Sequence, residues 1–169
     1  MTVNILLIFF ALILIWRVAD GFRNGLVKEI ISLITLTILA FATVLLGRAI
    51  SSYVDKEILN AASALLLFLI LCIAHSALKF VFFSAKLISK LPVVSLVNKL
   101  LGALFGVVEA ILFAWVVYTL NMHMDLGVLG EEIVELTKGS EILTFVYERN
   151  YLAYEVEKLL PLLPFSLHR

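Results

Sequence analysis

The sequence predicts an all-α integral membrane protein, with four transmembrane helices followed by amphipathic C-terminal helices. Three observations carry that prediction. The 169-residue chain is 63% hydrophobic and 15% charged, which leaves too little polar surface to keep a small globule in water. Four long apolar stretches begin near Val3, Leu26, Ala61 and Leu100, and roughly 20 apolar residues at ~1.5 Å each cross the hydrocarbon core of a bilayer. None of the stretches alternates polar and apolar residues as a barrel strand does, so self-satisfied helices are the spans that lipid permits.

The first span is expected over about 3–19. Ile5 to Trp16 has the length of a signal-peptide core, but no positive flank precedes it and no small-residue cleavage site follows. An uncleaved helix, with Arg17 snorkelling to the interface beside Trp16, fits the same residues. Gly21-Phe22-Arg23-Asn24-Gly25 then reads as a two-glycine turn, making spans one and two an antiparallel hairpin. Span two covers about 26–46. Span three covers about 58–83 and carries His75, Ser76 and Lys79 late in its course. The connection through Lys86 and Lys90 to Pro92 interleaves Leu87, Ile88 and Leu91 with its charges, as expected at a membrane interface. Span four covers about 97–120.

Residues 1–121 thus form the membrane domain, and 122–169 a tail. Glu131 to Lys138 and Glu141 to Leu160 look helical, and Ile142, Phe145, Leu152, Val156 and Leu159 fall on one stripe of a continuous helix. Pro161 and Pro164 end it. The stripe suits a helix laid on the bundle or in the headgroup layer, or one that docks a partner.

Orientation follows from the basic residues of the short connections. Arg17, Arg23 and Lys28 flank the first, and Lys79, Lys86, Lys90 and Lys99 the third. The second has Arg48 and Lys56, offset by Asp55 and Glu57. The first and third connections are therefore expected to face the cytoplasm, with both termini and the acidic tail outside. Net charge is zero, and its uneven spread concerns orientation rather than nucleic acid. The expected surroundings are the lipid bilayer, with further copies of the chain or other membrane proteins as partners.

Polar residues inside the spans are the functional candidates. Glu109 is the costliest, since a carboxylate near the bilayer midplane must be neutral, paired or wet. Measured from the cytoplasmic end by helical rise, His75 lies at about 12 Å, Lys79 at about 6 Å and Glu109 at about 16 Å. A Glu109–His75 contact is expected to be possible, either as a proton- or ion-responsive site or as one polar contact fixing helix register. Gly102, Gly106 and Ala110 recur every four residues, a pattern that lets another helix backbone approach, within the chain or from another subunit. Arg17, Asp20, Gly21, Arg23 and Gly25 form a polar interfacial turn, with an Arg17–Asp20 pair of structural kind. His123 and His168 are read as surface histidines.

Cys72 is the sole cysteine, so it reads as a small buried hydrophobe, with no intrachain disulfide and no cysteine metal site. No clustered nucleophile and base, phosphate loop or metal-ligand run is visible, so neither enzyme activity nor a metal or other cofactor is expected.

Two segments together resemble the colicin V production protein family of small bacterial membrane proteins. The first is Ala19-Asp20-Gly21-Phe22-Arg23-Asn24-Gly25-Leu26-Val27-Lys28-Glu29-Ile30-Ile31-Ser32-Leu33. It is similar to the family's glycine, aromatic, basic, glycine turn leading into a basic–acidic pair. The second, Asn98-Lys99-Leu100-Leu101-Gly102-Ala103-Leu104-Phe105-Gly106, resembles the polar–basic entry to the fourth span and its paired glycines. The chain departs from the family's pattern at Asn4, where an acidic residue is usual, and at Glu109, where a basic one is frequent. The resemblance implies a four-span protein of the bacterial cytoplasmic (inner) membrane, accessory to colicin V production or export and to envelope homeostasis.

Overall fold

The structure is a computed structural model describing residues 4–52, 56–84 and 96–159. Seven helices follow one another: α1 Ile5–Asn24, α2 Leu26–Ser51, α3 Glu57–Ser84, α4 Leu96–His123, α5 Val128–Lys138, α6 Glu141–Glu148 and α7 Tyr151–Leu159. No strand occurs among the described residues. The first four helices are long and apolar enough to cross a membrane. The 20 residues of α1 are about 30 Å long, the thickness of a hydrocarbon core. The connection from Lys86 to Pro92, the helix stop at Pro161 and Pro164, and His168 lie outside the described residues.

Helix α4 is the hub. Both α1 and α2 pack along it, and α3 packs chiefly on α2. The core between α2, α3 and α4 is built from Leu36, Ala40, Val44, Ala64, Leu71, Leu112, Phe113 and Val116. The opposite faces carry exposed leucines and isoleucines such as Ile34, Ile38, Leu66 and Ile73, as a helix facing lipid should. Two polar residues of α2 are satisfied within their own helix: the hydroxyls of Thr35 and Thr37 donate to the carbonyls of Ile31 (2.9 Å) and Leu33 (2.8 Å).

The expected two-glycine turn is smaller than its sequence suggests. Gly21 lies inside α1, and Gly25 alone separates α1 from α2, with φ at 78°. That left-handed conformation suits glycine. Gly25 offers no side chain to cap α2; instead Asn98 of α4 accepts from the Leu26 amide at 3.0 Å.

The tail also departs from expectation. Residues 141–159 form two helices, α6 and α7, rather than one. The break falls at Arg149 and Asn150, where the Asn150 Oδ1 accepts from the Ala153 amide at 3.1 Å and starts a new helix. A stripe computed through that break loses its register. Ile142 and Phe145 are therefore 58% and 54% exposed, whereas Leu143, Val146, Leu152, Ala153 and Val156 are buried.

The tail folds back onto the bundle, with α5 against α1 and both α6 and α7 against α4. The Trp115 indole donates to the Val146 carbonyl at 2.9 Å, and Asn150 donates to the Thr119 hydroxyl at 3.0 Å. Asn4 caps α1 by accepting from the Leu7 amide at 2.9 Å, and its amide also donates to the Leu136 carbonyl of α5. Asn150→Ala removes a cap together with a buried hydrogen bond to α4, a loss of roughly 2 kcal/mol. Limited proteolysis is expected to release the tail of this variant faster, while the four long helices stay intact.

Candidate functional site

The site grows from one helix crossing. At Gly21 and Gly102, α1 and α4 meet with nothing between their backbones: a Cβ on either would overlap the other's peptide. Four residues earlier on α1 and four later on α4, Gly106 faces the Arg17 carbonyl with the same lack of room. Opposite steps along the two helices define an antiparallel crossing, of the kind small residues at four-residue spacing permit. The glycine face of α4 is thus occupied by α1 of the same chain.

The crossing delivers Arg17 to the interior. The sequence places this side chain at the interface, but it is 3% exposed and its guanidinium pairs with the Glu109 carboxylate of α4, which is 0% exposed. The guanidinium also lies 3.6 Å from Asp20 Oδ2 and donates to the Ser32 hydroxyl at 3.4 Å. The expected partner of Glu109, His75, binds elsewhere. Its Nε2 is 3.0 Å from the Ser32 hydroxyl and 3.2 Å from the Ser32 carbonyl. A carbonyl only accepts, so Nε2 carries a proton. The His75 ring packs edge-on to Phe113 at 5.9 Å. Helical rise bears only on the relative heights of Glu109 and His75; the direction each faces is set by which helix lies opposite.

Lys79 closes the group on the side nearer Gly25. Its ammonium donates to Asp20 at 2.7 Å and to Glu29 at 3.0 Å, and Asn24 donates to the same Glu29 oxygen at 2.9 Å. Glu29 sits in the first turn of α2, where the helix dipole favours a carboxylate. All four spans therefore contribute: Arg17, Asp20 and Asn24 from α1, Glu29 and Ser32 from α2, His75 and Lys79 from α3, and Glu109 from α4. Buried charges this close are tolerated because each faces an opposite charge or a hydrogen-bonding partner. Arg23 stands apart, exposed near the end of α1, and Ala110 is buried in the α4 face.

In the sequence, Ser32 and Glu29 stand out only as members of the first segment that resembles the family. Their spacing of three places both on one face of α2, the signal that could have found them. At the other end of the bundle, His123 is partly buried rather than on the surface, with its Nδ1 3.4 Å from Arg48.

The charged group ends at an apolar layer. From Glu109 to Thr119, and from Ser32 to Thr43, α4 and α2 climb about 15 Å, and the buried side chains in those stretches are Leu36, Ala40, Ala110, Leu112, Phe113, Val116 and Tyr118, whose hydroxyl accepts from Thr137 of α5. On α3, Ala64, Leu67 and Leu71 complete the layer. Among the described residues no three His, Cys, Asp or Glu side chains come together as a metal site.

Four membrane-length helices tied from within by a buried ion network make this a polytopic α-helical membrane protein. The model of the family described as "Colicin V production protein" matches residues 6–148, and the chain belongs to that family. It is not known as a family of enzymes. No curated protein and no solved structure matches the chain. The two segments that carry the resemblance are the two sides of one contact, since Gly21 meets Gly102, Arg17 meets Gly106, and Leu26 is capped by Asn98.

Proposed function

We propose that the protein is a non-enzymatic accessory of the bacterial cytoplasmic membrane, serving toxin production or export and envelope homeostasis through contacts with other membrane proteins. Family membership is the observation that carries this reading. The apolar layer supports it, because among the described residues the bundle closes on Leu36, Leu71 and Val116, and such a layer opposes the passage of ions. Both termini and the tail lie outside in this reading, as the basic connections favour.

A small oligomeric channel or transporter is the second reading, favoured by the convergence of Glu109, His75 and Lys79 from two spans. It requires a polar passage between subunits or through the apolar layer. Native Cys72, partly buried against that layer, reports on the passage. Thiols react as thiolates, which need water. In sealed vesicles Cys72 is expected to resist membrane-impermeant maleimides from either face and to react after denaturation; labelling in intact vesicles would favour the channel.

The accessory reading is tested by complementation. In a colicin V producer lacking its own family member, this chain is expected to restore toxin release and resistance to envelope stress. Failure on both counts, with the protein present in the membrane, removes the reading.

A further inference from the structure

The contacts around Arg17 join two cations, Arg17 and Lys79, to three carboxylates, Asp20, Glu29 and Glu109. Among the described residues these contacts join one more carboxylate than cations, in a setting that is otherwise apolar. A net charge inside a bilayer is costly, and binding a proton removes it.

The three carboxylates are not equivalent. Asp20, 30% exposed as a side chain, is the member nearest solvent. Glu29 receives hydrogen bonds from both Lys79 and Asn24 on Oε1, although its Oε2, like Glu109 Oε1, has no donor among the described residues. Glu109 is 0% exposed and faces the guanidinium with Oε2, while its Oε1 finds no donor among the described residues. It also shares that guanidinium with Asp20. Glu109 is therefore the buried carboxylate with the weakest support for its charge.

We propose that this cluster is a proton-binding site, with the proton seated on Glu109 Oε1 and exchanged with the aqueous phase on the Asp20 side. Among the described residues, the other ionisable groups of the cluster are Arg17 and Asp20 of α1, Glu29 of α2 and His75 and Lys79 of α3, with the Cys72 thiol one turn along from His75. When Glu109 takes up a proton, its charge is cancelled and Arg17 turns to Asp20, already 3.6 Å away on the same helix. The ion pair between α1 and α4 is thereby exchanged for one within α1. Beyond Glu109 lies the apolar layer, so the proton returns the way it came. The cluster senses protons without conducting them. This inference does not depend on the accessory reading.

The test is a pH titration of the full chain in nanodiscs, following the infrared carbonyl band of protonated buried carboxyls. Wild type is expected to gain one such band within the pH range where the bundle stays folded, and Glu109→Gln to lack it. A band that survives in Glu109→Gln, or its absence from wild type, overturns the proposal. Should Glu109→Gln fail to fold, Asp20→Asn at the solvent-facing end reads the same coupling. It removes a like charge and leaves Arg17 wholly to Glu109, so the midpoint is expected at lower pH. An unmoved midpoint overturns the proposal. In sealed liposomes of uniform orientation the band is expected to follow the pH of the Asp20 side alone, and a response to the opposite side equally overturns it.

Discussion

Arg17→Met is expected to cost about 3–5 kcal/mol of bundle stability, the range for removing one partner of a buried ion pair. The guanidinium is the meeting point of Glu109, Asp20 and Ser32. Its loss leaves the fully buried Glu109 without an opposing charge among the described residues. The methionine side chain approximates the volume of the arginine stem, so the loss is electrostatic rather than a cavity. The double variant Arg17→Met/Glu109→Met is expected to be more stable than Arg17→Met, because it removes the stranded charge. Reversible unfolding in mixed micelles reads both. Additive losses in the two single variants would mean that the two residues do not act on each other.

Gly106→Leu is expected to be at least as damaging, at or above the ~3 kcal/mol upper end for overpacking. The new side chain meets the Arg17 carbonyl and the Val18 Cα, which are backbone and cannot rotate aside. Moving α1 away would pull Arg17 from Glu109, so packing and electrostatics fail together. Leu104→Ala, on the exposed face of the same helix, is the control and is expected to change stability by no more than ~0.5 kcal/mol. Cysteine cross-linking between α1 and α4 gives the second readout. A Gly106→Leu protein with undiminished stability and cross-linking would show that this crossing does not hold the bundle.

The four spans were legible because a bilayer demands about 20 consecutive apolar residues, a signal that needs no knowledge of neighbours. Relative height was legible too, since helical rise put Glu109 and His75 within about 4 Å of one level, and Arg17 and Ser32 join both to one cluster. Rotation was not. Whether Glu109 turns to His75 or to Arg17 depends on the α1–α4 crossing, and the Gly102, Gly106 pattern announces a close helix without saying which one. Arg17, read as snorkelling, turns inward because its partner lies 92 positions along the chain, beyond any local pattern. The tail break was hidden for a similar reason. Asn150 interrupts a run with no glycine or proline, and its buried partner Thr119 comes from α4. Gly21 misled in the opposite sense: it reads as a turn residue, yet it stays helical and serves close approach.

The resemblance carried by two short segments has a physical reason in this chain. Glycine at 21, 102 and 106, and asparagine at 98, are each required by the one contact that brings Arg17 to Glu109. Sequence motifs far apart in the chain can thus report a single junction.

The most direct test of the accessory account is the intact mass of the complex extracted gently into nanodiscs, with copurifying proteins identified. The account predicts a stable complex of this chain with a second, unrelated membrane protein. A closed homo-oligomer that binds no other protein and passes ions when reconstituted would contradict it.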